Sequence, residues 1–216
     1  MPANYRTVLF DFDGTLADSY AAITASVNHV RSHHGLPALP EGRVRTLVGH
    51  GLLQLMEDII PGGNPEVDAE RYRAHHPTVM YPLTHLLPGV GEALRRLHAS
   101  GVKMAVCSNK PVAITRKLIE SLAIHQYFDA AYGPEDSGNP KPDPAMVFLA
   151  MKKLGAKSDE SLYVGDMPVD IETARNAGIA VWVVPTGSSD EETLRQAKPD
   201  KIMKSMAELP GGLNVK

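Results

Sequence analysis

The stretch Thr7-Val8-Leu9-Phe10-Asp11-Phe12-Asp13-Gly14-Thr15-Leu16 sends a β-branched and apolar run straight into two carboxylates. Thr7–Phe10 reads as a strand, so Asp11 and Asp13 stand at a strand's C-terminal end, where open α/β sheets bind their ligands. Runs of similar character recur at Val102–Cys107, Ser161–Val164 and Ile179–Val184, with a shorter one at Ala130–Tyr132. Long helix-like stretches separate them, and that alternation predicts an α/β fold. Runs apolar on both faces suit a parallel sheet covered by helices on each side. Gly91–Ala99 and Ala145–Leu154 carry apolar residues at helical spacing, and Gly101 and Gly155 follow as stop signals.

Between the first strand and Val102 lie about 90 residues, far more than the ~10–15 of a simple crossover helix, so an insertion is expected. Tyr20–His33, Glu41–Val48, Leu52–Ile60 and Val67–His76 read as its helices, punctuated by glycine- and proline-rich turns. This division gives a small helical domain over residues 17–82 and a core made of residues 1–16 and 83–216.

The 216 residues carry 22 Lys+Arg against 25 Asp+Glu, a net charge of −3, which is no basic coat for nucleic acid. Basic residues are dispersed and no aromatic stacking platform accompanies them, so nucleic-acid binding is not expected. No apolar stretch approaches the roughly 20 residues of a membrane span, and Met1–Arg6 shows no secretory signal. The single cysteine, Cys107, has no intrachain partner and suits a reducing cytoplasm. A monomer and a homodimer both remain open.

A second acidic loop, Gly165-Asp166-Met167-Pro168-Val169-Asp170, follows the strand at Ser161–Val164. Asp-Gly is by itself a common turn, and Asp166 with Asp170 would also serve as a helix cap and first-turn carboxylate. Those local explanations leave it unexplained why both acidic loops, a hydroxyl loop and a lysine all follow strand ends. Carboxylates gathered about 4 Å apart repel by several kcal/mol at an effective dielectric near 20, so such a site needs a cation. With oxygen donors and no Cys or His near either motif, the expected ion is Mg²⁺. The hydroxyl loop is Ser108-Asn109-Lys110-Pro111, whose helix-start amides and serine hydroxyl suit phosphate oxygens. The lysine is Lys141, within Asn139-Pro140-Lys141-Pro142-Asp143-Pro144.

Taken together, Asp11-Phe12-Asp13-Gly14-Thr15-Leu16, Ser108-Asn109-Lys110-Pro111, Lys141-Pro142-Asp143-Pro144 and Gly165-Asp166 with Asp170 resemble the four ordered motifs of the haloacid dehalogenase superfamily of phosphohydrolases. The resemblance implies a Rossmann-like three-layer core and makes the insertion its α-helical cap. Within the superfamily the chain looks most like the phosphoglycolate phosphatases, through Val44-Arg45, Val48-Gly49-His50-Gly51-Leu52, Pro88-Gly89-Val90, Asp136-Ser137-Gly138 and the segment 170–178. Met167 and Leu87 depart from that pattern.

The implied activity is hydrolysis of a small phosphomonoester through an aspartyl phosphate, with 2-phosphoglycolate as the leading substrate. A sugar phosphate, a nucleotide or pyrophosphate stay open, as does an idle ligand-binding module on the same fold. By resemblance Asp11 is the nucleophile and Asp13 the general acid and base. Ser108, Asn109 and Lys141 would hold the phosphoryl group. Asp11, the Asp13 carbonyl, Asp166 and Asp170 would hold or orient around Mg²⁺. Halide-displacing members typically lack the second aspartate, so Asp13 disfavours dehalogenation. In the cap, Arg45 and His50 are the expected contacts for a substrate carboxylate, since an arginine fork matches such an anion. The pairs His33-His34 and His75-His76 are not expected to bind a metal, because neighbours on a helix point about 100° apart.

Overall fold

The apolar runs define the centre of the molecule. A computed structural model describes residues 5–214. In chain order its elements are β1 (Thr7–Phe10), β2 (Ala17–Asp18), α1 (Tyr20–His33), α2 (Glu41–Arg45), α3 (Leu52–Ile59), α4 (Pro65–His75), β3 (His85–Leu86), α5 (Val90–Ala99), β4 (Lys103–Cys107), α6 (Val112–Ser121), β5 (Ala130–Tyr132), α7 (Pro134–Ser137), α8 (Ala145–Leu154), β6 (Ser161–Gly165), α9 (Pro168–Asn176), β7 (Ala180–Val183), α10 (Glu191–Gln196), β8 (Lys201–Ile202) and α11 (Leu209–Gly212). Among the described residues no helix is long and apolar enough to cross a membrane.

Six strands form one sheet in the order β5-β4-β1-β6-β7-β8, with every pairing parallel. Alternate residues go to opposite faces. Val8, Phe10, Met104, Val106, Leu162 and Val164 pack into a cluster on one side, while Leu9, Ala105, Cys107, Tyr163, Val181 and Val183 join a second on the other. Both faces are therefore buried, as helices on each side of a parallel sheet require. From β1 the chain continues to β4 on one side and later to β6 on the other, which makes the C-terminal ends of these three neighbours a topological switch point. The register Phe10↔Val106 and Phe10↔Val164 brings the loops after all three strands to one level.

Helices α1 to α4 enclose an apolar cluster of their own, with Ile23, Val27, Val44, Leu55, Met56 and Ile59 inside. This layer joins the sheet where β2 pairs antiparallel with β3, Ala17 opposite Leu86 and Asp18 opposite His85. Helix α2 ends at Arg45, three residues short of the expected Val48. Helix α4 begins at Pro65, two residues before the expected Val67. The Asn64 side chain accepts from the amides of Glu66 and Val67, and Pro65 occupies the first turn, where its missing N–H is harmless.

Candidate active site

Four strand ends supply the site. Asp11 leaves β1 with its amide bonded to Val164 O (2.9 Å), and its carboxylate lies beside the Lys141 ammonium, Oδ1 to Nζ 3.0 Å. That contact is an ion pair without hydrogen-bond alignment, so Asp11 Oδ1 is buried with no hydrogen-bond donor among the described residues. Lys141 Nζ donates to Asp170 Oδ1 (2.6 Å) and to the Tyr163 hydroxyl (3.2 Å), which itself donates to Cys107 O (2.5 Å). Asp170 Oδ2 accepts from the amides of Asp166 and Met167, both at 3.0 Å, and so holds the loop after β6. Asp166 accepts from Thr15 Oγ1 (3.0 Å) and from the Ser188 amide (2.9 Å).

Gly14, at φ +79°, makes this convergence fit. A Cβ there would come within 2.7 Å of Asp166 Oδ2 and 2.6 Å of the Tyr20 hydroxyl, too close for any other residue.

One carboxylate oxygen from each of Asp11, Asp166 and Asp170 lies within 4.8 Å of the others, and all three residues are buried. Burial and the neighbouring charges of Asp170 and Asp11 push the Asp166 carboxyl well above the usual carboxylate range. Burial raises Asp170 too, with Lys141 opposing. Burial works against the Lys141 charge, yet Asp11 and Asp170 outweigh it and hold the ammonium protonated. Three carboxyl groups share one ammonium here, so ionising all three calls for further positive charge. An oxygen-only donor set with an unsatisfied Asp11 oxygen fits a divalent metal ion there.

Asp13 is held by partners of its own. Its carboxylate accepts from the Ser19 hydroxyl through a short bond and from Lys110 Nζ at 3.0 and 3.2 Å. Asn109 ties the site together. Its Oδ1 accepts from the Lys141 amide (2.7 Å), and its Nδ2 donates to Lys141 O (3.2 Å) and to Gly49 O (3.0 Å) across from the helical layer. The Asn109 side chain is thus occupied. Asp11, Asp13, Ser108 and Lys110 face a pocket of about 50 Å³, space on the order of four waters. Ile23, Leu52, Leu55 and Tyr72 of the helical layer wall it.

Asp11, Asp13, Ser108, Asn109, Lys141, Asp166 and Asp170 are all brought to this one locus. Arg45 and His50 do not line the pocket. The Arg45 guanidinium lies over the Tyr20 ring, 3.9 Å from its centroid, and 3.5 Å from both Asp18 and Glu41, while His50 is exposed. Sequence reasoning passed over Thr15, Ser19, Lys110 and Ser188. Thr15 and Lys110 stood inside quoted motifs without a role, and Ser188 follows a strand end in Pro185-Thr186-Gly187-Ser188, the same signal that marked Asp11.

The chain is similar to known proteins along almost its whole described length. The chain is 32 % identical to phosphoglycolate phosphatase of Salmonella typhi, covering 95 % of this chain and 91 % of that one. It is 32 % identical to phosphoglycolate phosphatase of Yersinia pestis, covering 94 % and 91 %. A crystal structure described as a predicted phosphoglycolate phosphatase from Haemophilus somnus superposes with a TM-score of 0.90 at 26 % identity, covering 96 % of this chain and 97 % of that one. The sequence model of the haloacid dehalogenase-like hydrolases matches residues 8–184, which takes in every strand end that delivers a site residue; the chain is a member of that family.

Proposed function

We propose that this chain is a Mg²⁺-dependent phosphomonoesterase whose preferred substrate is 2-phosphoglycolate. The observation that carries the reading is the grouping of Asp11, Asp13 and Asp166 at adjacent strand ends with Lys141 from the loop after α7, beside a pocket sized for a small ligand. The substrate assignment is supported by the names of the relatives.

Asp11 attacks phosphorus, a P–O bond forms to its carboxylate, and the bond to the leaving alkoxide breaks. Asp13 gives its proton to that alkoxide. It then takes a proton from the water that attacks the aspartyl phosphate, releasing phosphate and restoring Asp11. Lys141, the Ser108 hydroxyl and the Asn109 backbone amide hold the nonbridging oxygens, where positioning and charge stabilisation dominate. Asp11, the Asp13 carbonyl and Asp166 would hold the metal ion, which supplies further positive charge at the phosphoryl oxygens. Asp170, with its oxygens already given to Lys141 and two amides, orients that set. Residues 17–82 act as a cap that closes the pocket and excludes water. A cap-side contact of Arg45 or His50 with the substrate would require Arg45 to leave Tyr20, Asp18 and Glu41.

The test is hydrolysis of an aryl phosphate and of a panel of metabolite phosphates, with Mg²⁺ and with chelator. Turnover that chelation abolishes, that is fastest in kcat/KM for 2-phosphoglycolate, and that Asp11→Asn eliminates is expected. Near-wild-type rates in Asp11→Asn would remove the nucleophile, and no turnover with any divalent ion would remove the activity.

A further inference from the structure

We infer that Lys110 is the residue that selects a carboxylated substrate, by pairing with a carboxylate bonded directly to the ester-bearing carbon. This rests on the phosphomonoesterase reading and names a specificity determinant for it.

The Lys110 side chain is only 4 % exposed, which is unusual for a lysine without a full set of partners. Its ammonium carries three N–H donors, and both of its hydrogen bonds go to one carboxylate, that of Asp13. Asp13 is independently held by Ser19, so its orientation does not rest on the lysine alone. Lys110 also faces the pocket, and among the residues lining it Lys110 is the single cationic one. The other charged residues there are Asp11 and Asp13, which repel any anionic substituent on the substrate. The rest of the wall facing away from the strand ends is largely apolar, through Ile23, Leu52, Leu55 and Ile114. A second anion entering this pocket therefore has one countercharge available.

Distance favours a short connection. A proton donor sits about 3 Å from the ester oxygen that it protonates. Lys110 Nζ lies 3.0 Å from Asp13, so it falls within about 6 Å of that oxygen. An oxygen of a carboxylate two carbons along the chain lies about 3 Å from the ester oxygen, leaving one further hydrogen-bond length to the ammonium. A compact ammonium suits this cramped position better than a planar guanidinium fork.

The experiment compares 2-phosphoglycolate with ethyl phosphate, which replaces the carboxylate by a methyl group. In Lys110→Met, kcat falls for both substrates through the disturbed Asp13, while the kcat/KM preference for 2-phosphoglycolate falls by a further factor of roughly 30, seen mainly as a raised KM. Equal losses on both substrates would overturn the assignment and leave Lys110 as a positioning residue for Asp13. A second arm needs neither turnover nor a change at position 110. Calorimetric titration of Asp11→Asn with each compound is expected to show tighter binding of 2-phosphoglycolate, and equal or undetectable affinities would overturn the proposal even if Lys110→Met failed to fold. If the wild type hydrolyses neither compound, the phosphatase reading fails, and the binding arm repeated with Lys110→Met added to Asp11→Asn still decides the role of Lys110, which loss of the affinity difference supports and its persistence overturns.

Discussion

At the scale of single residues, His76 shows how a buried group links the helical layer to acid sensitivity. Its ring is fully buried, stacked on Tyr72 with centroids 4.9 Å apart, and its Nδ1 lies 2.9 Å from the Ser26 hydroxyl. That hydroxyl donates to Ala22 O, so it accepts from His76, and the other ring nitrogen is buried without a hydrogen-bond partner among the described residues. Burial first, then the charges of Lys110 and His75, lower its pKa from the usual 6.5 to about 3. Above pH 6.5 both the folded and unfolded forms are neutral and stability is complete. Between 6.5 and 3 the unfolded chain binds a proton that the fold excludes, so stability falls with pH by up to about 1.4 kcal/mol per unit. Unfolding free energies measured from pH 6.5 to 4 should therefore fall more steeply for the wild type than for His76→Phe. Identical slopes would show that the imidazole accepts its proton inside the fold.

At the scale of elements, the turn between α2 and α3 is where the helical layer touches the catalytic loops. Gly49, at φ +129°, gives its carbonyl to Asn109, and a Cβ on it would overlap the Met167 thioether. Gly49→Ala should thus displace the Met167 side chain and strain the turn at its positive φ, raising KM and lowering kcat with a modest loss of Tm. Pairing it with Met167→Ala should recover the steric part of the loss but not the part due to the positive φ. If the double variant is no better than Gly49→Ala, the overlap is not what matters.

The same elements show what was legible in the sequence. Strands β1, β4 and β6 stood out because both faces are buried, which makes each a continuous apolar run, and Asp11, Asp13, Ser108 and Asp166 could be found by standing just after them. The pairs β2–β3 and the edge strand β8 are two residues each, too short for any alternation to register. Arg45 was expected at the substrate, but its surroundings are set by Tyr20, whose ring it meets only after α1 and α2 pack together. Ser19 had no chemical signature, since a loop serine acquires meaning only from what the fold sets opposite it.

At the scale of the whole molecule, the site works against the stability of the metal-free protein. Asp166 is pushed above the ordinary carboxylate range chiefly by burial, so ionising it at neutral pH opposes folding. A divalent ion at about 100 times its Kd should add about 2.7 kcal/mol, which for a chain of this size raises Tm by about 5–10 °C. Asp166→Asn should show the opposite pairing, a metal-free Tm above that of the wild type and a much smaller gain on adding Mg²⁺. A wild-type Tm indifferent to every divalent ion would show that Asp11 and Asp166 do not share one.

The narrow passage at β2 and β3 has a further consequence for descent. The chain departs from the sheet and returns to it through two adjacent, mutually bonded segments, and what lies between them keeps its own oily interior. A lineage can therefore swap or reshape that intervening piece, and with it the apolar wall that Ile23, Leu52, Leu55 and Tyr72 lend the pocket, while the residues at the strand ends of the sheet are inherited unaltered.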